Sequence, residues 1–339
     1  MTATTSVLIV DDEPAVRQLM SRWAASLGLH AETAANTDEA LEVLETRAWD
    51  LVVIDVMMPG RNGLWLAAEL RRKYPNTAVV LATAYTELFE GTAETPAVAD
   101  LLIKPFKRTR FMLAIDRGLH WHEQAQAEIV RHAELTHETM SRVDAVAAHL
   151  AITRSLGGDE IEALTSLMAK EIPDVLAHAE RVRRYSAAMA HELELPPDMV
   201  SAIELTAELH DIGKLAIPER ILNLAGPLTP GQIATLRRHV ETGSDILGSS
   251  PTLSPLGTFV LATHEWFGGG GYPKKLAGSA IPLPSRIVSV ADAYDAMTQD
   301  RQYRSRLDPT EAVAELIRST PSQFDPEIVE VFLRILNRQ

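Results

Sequence analysis

Three acidic residues, Asp11, Asp12 and Asp55, follow directly on short apolar runs at 7–10 and 51–54, and Thr83 and Lys104 stand just after two more, at 78–81 and 101–103. In a parallel sheet the carboxyl ends of the strands meet at one edge, where ligands bind. Two carboxylates there can hold a hard cation such as Mg²⁺ through oxygen, and a third can attack phosphorus to form an aspartyl phosphate. A lysine and a threonine hydroxyl beside them would bind the phosphoryl oxygens. One acid after a strand is ordinarily a loop cap, but five such residues at successive strand ends ask for a shared purpose.

A second constellation lies in the other half of the chain. His210-Asp211 ends a helix-like run at 202–209 and is followed by Ile212-Gly213-Lys214, while His178, His239, His264 and Asp292 stand in helix-like contexts around it. Adjacent His and Asp can face one metal only where a helix ends or is locally rewound. With no cysteine in the chain, a metal would take nitrogen and oxygen ligands, a mixture that suits Fe, Mn, Ni or Zn rather than Ca. His264-Glu265 is closely followed by Gly269-Gly270-Gly271-Tyr272-Pro273, and Asp292-Ala293-Tyr294-Asp295 precedes Arg301-Gln302-Tyr303-Arg304.

The elements that must position these residues follow from periodicity. Continuous apolar runs separated by helix-like segments over the first third argue an α/β doubly wound parallel sheet, buried on both faces. From residue 161 onward the pattern is helical with no strand series, so the second half reads as all-α. Between them the apolar positions Ile129, Ala133, Thr136, Met140, Val143, Ala147 and Leu150 step by four and three, which predicts a coiled-coil connector and a homodimer joined through it. Gly157-Gly158 breaks that helix. The expected domains are 1–120, a connector at 121–172, and 173–339.

Length and charge narrow the function. A chain of 339 residues predicts about two domains. The net charge of −14, spread over all three regions without a basic run, excludes direct nucleic-acid binding and attraction to anionic lipid. No apolar stretch approaches the ~18 residues that span a bilayer, and no signal peptide opens the chain, so a cytoplasmic protein is expected.

Residues 1–120 resemble the receiver domain of bacterial two-component response regulators through Asp11-Asp12-Glu13, Asp55 with Met58-Pro59-Gly60, Thr83-Ala84 and Lys104-Pro105-Phe106. The resemblance implies a five-stranded flavodoxin-like fold, with Asp55 as phosphoacceptor and Asp11 and Asp12 as Mg²⁺ ligands. Thr83 and Lys104 would sense the phosphoryl group, and the partner would be a cognate sensor histidine kinase. Leu101 stands where the family usually carries an aromatic switch residue, with Ala97 and Ala99 just upstream. Coupling would then run through 85–96 or through the last helix into the connector.

The C-terminal half resembles the HD-GYP branch of the HD phosphohydrolases, which hydrolyses cyclic di-GMP. Carried over, His178, His210, Asp211 and Asp292 form a first metal site, and His239 and His264 belong to a second, with Asp211 bridging both. Asp174 occupies the place where three-metal members carry a glutamate. Lys214, Arg301 and Arg304 match positions that contact substrate phosphate, and Tyr272 and Pro273 shape the loop beside it. The implied reaction is metal-dependent phosphodiester hydrolysis to pGpG and then GMP, with catalysis resting on Asp211 and Lys214. Two departures stand out. Thr263 replaces an expected histidine, and Gly268 an expected acid, which predicts a weakened second metal site and a looser loop. They leave open a degenerate domain that binds cyclic di-GMP or a protein partner without turnover.

Overall fold

The computed structural model describes residues 5–84, 98–224, 226–300 and 306–338, with the backbone alone at 173 and 174. The chain divides into two compact units, Met1–Arg131 and His132–Gln339.

The first unit runs β1 (Ser6–Val10), α1 (Pro14–Ala25), β2 (His30–Ala34), α2 (Thr37–Thr46), β3 (Leu51–Asp55), α3 (Gly63–Lys73), β4 (Ala78–Thr83), β5 (Asp100–Ile103) and the start of α4 (Arg108–Ser155). All strand pairs are parallel, in the order β2-β1-β3-β4-β5. This is the doubly wound flavodoxin-like arrangement, with its switch point between β1 and β3. Alternation along the buried strands feeds two cores. Leu8, Val10, Val52 and Ile54 pack with Leu44, Leu66 and Leu70 on one face. Val7, Ile9, Leu51 and Val53 pack with Met20 and Phe111 on the other. Because Val10 pairs with Ile54, the next residues, Asp11 and Asp55, emerge side by side. β2 has no apolar run to announce it: of its sequence HAETA only Ala34 is buried, and it lies at the sheet edge.

Arg110, in the first turn of α4, makes a two-pronged ion pair with Asp100 of β5, at 2.7 and 2.9 Å. Leu101 is partly buried on the core that includes Val79 and Leu81. The segment at 85–96 and Ala97, assigned above to coupling and to the switch region, lie outside the described residues.

The second unit holds the rest of α4, then α5 (Glu160–Glu171), α6 (Pro173–Glu192), α7 (Pro197–Leu209), a 3₁₀ turn (Ile212–Ala216) and α8 (Glu219–Leu222). It continues with α9 (Pro230–Arg237), α10 (His239–Gly248), α11 (Ser254–Leu261), α12 (Leu283–Thr298), α13 (Pro309–Arg318) and α14 (Pro326–Leu336). Proline in the first turn starts α6, α7, α9, α12, α13 and α14, where its missing N–H costs nothing. One core joins Val182, Ile203, Val288, Ala291 and Phe332. A second joins Leu150, Leu164, Met168, Ile246 and Val260.

The long helix α4 ends shortly before Gly157, whose φ of 72° suits glycine. Its buried stripe is Leu135, Thr139, Val143, Val146 and Leu150, and Val143, Val146 and Leu150 join the second unit's own core. Of the sequence seam, Val143 and Leu150 are thus used inside the unit, while Ile129 and Met140 remain exposed.

Candidate phosphoacceptor and metal sites

In the first unit Asp11, Asp12 and Asp55 offer carboxylate oxygens within 4.8 Å of one another. Lys104 Nζ reaches between them, donating to Asp11 Oδ2 at 2.7 Å and Asp55 Oδ2 at 2.9 Å. Burial raises the Asp55 carboxyl above its usual range despite the hydrogen bond from Lys104. Burial opposes the Lys104 cation too, but Asp11 and Asp55 outweigh it and raise the ammonium. Thr83 is fully buried at the end of β4. Three acids facing one lysine leave an excess of negative charge, which fits a divalent cation held by Asp11, Asp12 and Asp55.

In the second unit the helix ends do the positioning. His210 is the C-cap of α7, and the 3₁₀ turn that follows carries Lys214. Gly213 lets that turn lie against α10: a Cβ there would stand 1.8 Å from the His239 carbonyl oxygen. The close approach brings Asp211 to His239, the first residue of α10. His178 comes from α6 and Asp292 from α12. His264 sits in the turn after α11 rather than on a helix. His178, His210 and Asp292 offer ligand atoms within 4.8 Å of one another.

The imidazoles are oriented from behind. His210 Nδ1 donates to the Ala207 carbonyl at 2.7 Å, and His239 Nδ1 to the Leu236 carbonyl at 2.8 Å. His178 Nδ1 donates to Asp295 Oδ2 at 2.7 Å, and the same carboxylate takes two hydrogen bonds from Arg181, at 2.6 and 3.0 Å. Each Nε2 is therefore presented to the site. His178 Nε2 lies 3.1 Å from Asp292 Oδ1. His210 Nε2 lies 3.5 Å from Asp211 Oδ2, and His239 Nε2 lies 3.7 Å from Asp211 Oδ1. The two oxygens of Asp211 thus look to different imidazoles. His239 Nε2 is buried without a hydrogen-bond partner, which is costly unless something electrophilic meets it. The donor set of His178, His210 and Asp292 fits a metal ion, and Asp211 lies between this cluster and the orphaned nitrogen of His239.

The electrostatics divide the histidines. Burial opposes the His178 cation, yet hydrogen bonds to Asp292 and Asp295 push it up to about 9. Burial would raise Asp211 and Asp292, but Lys214 and the histidines hold Asp211, and His178, His210 and His264 hold Asp292, well below the usual range. Burial pushes His239 down to about 3, and lowers His264 as well. Both are ready as neutral ligands.

Lys214 Nζ bonds Asp211 Oδ2 at 2.6 Å. Tyr272 stacks on His264 with ring centroids 5.2 Å apart and planes inclined by 7°. Glu265, buried, accepts the backbone N–H groups of Lys274 and Leu276 at 2.6 and 3.0 Å and so fixes the loop carrying Tyr272 and Pro273. Gly268 is held through its backbone. Its N–H donates to the Ser322 carbonyl at 3.0 Å, and a Cβ at this position would meet that same oxygen at 2.8 Å. Thr263 is buried, and its hydroxyl is spent on the Val260 carbonyl at 2.9 Å. Asp174 lies in α6, its side chain outside the described residues, and Arg301 and Arg304 fall wholly outside them.

Sequence reasoning assigned no role to Asp295, Arg181 or Glu265. The signal was there in spacing, since Arg181 follows His178 by three residues and Asp295 follows Asp292 by three, each pair on one helical face.

Comparison with known proteins gives the same two parts. Residues 7–116 match the response regulator receiver domain and residues 162–328 the HD domain. A cyclic di-GMP phosphodiesterase of Thermotoga maritima is 30% identical over 97% of this chain and 90% of its own length. The cyclic di-GMP phosphodiesterase response regulator RpfG of Xanthomonas campestris pv. campestris is 30% identical over 97% and 87%. A 3'3'-cGAMP-specific phosphodiesterase of Vibrio cholerae is 36% identical over 46% of this chain and 30% of its own length.

Proposed function

Because the chain belongs to the response regulators that join a receiver domain to an HD domain, we propose that it hydrolyses cyclic di-GMP under the control of phosphorylation at Asp55. The observation that carries the hydrolytic reading is the divided use of Asp211: one oxygen faces His210 and the other the orphaned Nε2 of His239. That is the arrangement two metal ions sharing a carboxylate require. When bound, such ions acidify a water and neutralise charge at phosphorus.

The chain's own groups then have separate tasks. His178, His210, His239, His264, Asp211 and Asp292 fix the positions of the charges. Lys214, leaning on Asp211, adds a cation for a phosphate oxygen. The Tyr272-Pro273 loop, locked by Glu265, forms a firm wall for the substrate, and Arg301 and Arg304 would add charge-assisted hydrogen bonds. In the receiver, the Asp55 carboxylate would take the phosphoryl group from a phosphohistidine of a sensor histidine kinase, forming the aspartyl O–P bond as the P–N bond breaks and the histidine leaves. Asp11 and Asp12 would hold Mg²⁺, which would neutralise charge on the phosphoryl oxygens, and Lys104 and Thr83 would hold the product. Iron, manganese, nickel and zinc all suit the nitrogen and oxygen ligands of the second unit.

Metal analysis of the purified protein together with a cyclic di-GMP turnover assay tests the reading. Bound transition metal and release of pGpG or GMP support it. Absence of both turns the HD unit into a binding module. A homodimer joined through the exposed stripe of α4, with Ile129, Ala133 and Met140, completes the proposal; a monomer by light scattering at micromolar concentration refutes that part.

A further inference from the structure

Cyclic di-GMP carries two phosphodiesters and hydrolysis acts on one. The second anion must also enter a site walled by Asp211 and Asp292, in a chain of net charge −14. Something positive has to receive it, and Lys214, bonded to Asp211, is placed above against a phosphate oxygen of the diester being cleaved, so the second anion calls for another cation.

Arginines of the second unit are mostly spent on carboxylates: Arg181 on Asp295, Arg183 on Glu180, Arg220 on Glu138 and Arg286 on Asp325. Arg237 differs. It is the last residue of α9, two before His239, and it is exposed. Among the described residues it has no hydrogen bond or ion pair. Its guanidinium carbon lies instead 5.0 Å from the centroid of the Tyr272 ring, the ring that also stacks on His264. A guanidinium held by an aromatic ring uses none of its five N–H donors. The ring itself is firmly placed, because the Tyr272 N–H donates to the His264 carbonyl at 3.1 Å and Glu265 ties down the following turn. Arg237 is thus a free fork of donors on a rigid platform at the edge of the metal site, where little entropy remains to be lost on binding an anion.

We propose that Arg237 binds the phosphodiester of the cyclic dinucleotide that is not being cleaved, and so sets the preference for substrates with two phosphates. The inference rests on the phosphodiesterase reading above. It is tested with the full-length, metal-loaded protein on two substrates, cyclic di-GMP and bis(p-nitrophenyl) phosphate, which has a single phosphodiester. Arg237→Gln is expected to lower kcat/KM for cyclic di-GMP at least ~10-fold, chiefly through KM. The ratio of kcat/KM for cyclic di-GMP to that for bis(p-nitrophenyl) phosphate should fall by a similar factor. Arg237→Lys should recover part of the loss, and the rise of KM with salt should be shallower in the Gln variant. An equal loss on both substrates, or none on either, overturns the role of Arg237 while leaving the phosphodiesterase reading intact. Failure of the wild-type protein to bind or cleave cyclic di-GMP removes both.

Discussion

Asp295 Oδ2 stands 2.7 Å from His178 Nδ1, so a buried carboxylate, itself clamped by Arg181, holds the imidazole whose Nε2 lies 3.1 Å from Asp292 Oδ1. The pair sets the tautomer and the angle of a first-site ligand without touching the substrate. Asp295→Ala should therefore weaken metal binding at the first site by about 10- to 100-fold. Asp295→Asn, which keeps an acceptor but loses the charge, should cost less. Metal titration of the apoprotein reads both; unchanged affinity in the Ala variant would show that Asp295 only braces Arg181.

Much of this was open to reading in the sequence. The buried strands β1, β3 and β4 were legible because both faces are covered, which writes an unbroken apolar run. β2 was not, because an edge strand with the sequence HAETA carries no such run. The histidines and aspartates that the structure brings together were picked out by residue type and order, and the helix end at His210-Asp211 was anticipated from the need of neighbouring side chains to face one way. The contacts of the loop at Gly268 were invisible, since they involve Ser322, distant in sequence, and the reach of Glu265 across nine and eleven residues. The seam of α4 was misleading in part: α5, α10 and α11 take Val143 and Leu150 into a core that a pattern along one helix does not reveal.

The receiver site should accept phosphate from a small phosphodonor in the presence of Mg²⁺, and Asp55→Asn should abolish the labelling. Because burial raises the carboxyl of Asp55, its ionised form opposes folding at neutral pH. The Asn variant should therefore melt no lower than the wild type at pH 7 without Mg²⁺. Full labelling of the variant would move the phosphoacceptor elsewhere.

Asp100 gives a stability prediction with a definite sign. Burial alone would raise its carboxyl, but Arg110, with Arg117 beyond it, holds it below the usual range. A depressed folded-state pKa contributes stability that is present above the unfolded value and is lost as pH falls through the folded one. Asp100→Asn should thus destabilise the receiver by about 1 kcal/mol at pH 7, and the difference from wild type should vanish in acid below the normal aspartate range. Thermal melts as a function of pH decide it; a difference that persists unchanged into acid would assign the effect to packing.

Thr263 divides catalysis from mere binding. Its hydroxyl donates to the Val260 carbonyl, and a neutral hydroxyl is a poorer metal ligand than imidazole. Beside it a crevice of about 40 Å³ is lined by Ser289, Asp292 and Gln323, polar space into which a larger ring could grow. On the reading proposed above, a second ion at His239, His264 and Asp211 would lack a protein ligand that water can replace only weakly. The wild-type protein should therefore be slow and demand excess metal. Thr263→His should raise both metal content and turnover, the latter by at least ~10-fold if the added ligand returns about 1.4 kcal/mol of transition-state stabilisation. Asp211→Ala, which removes the carboxylate shared between His210 and His239, should abolish turnover in either background. If the wild type holds no metal and cleaves nothing, and Thr263→His changes neither, then the HD unit works as a receptor or docking module rather than as a hydrolase.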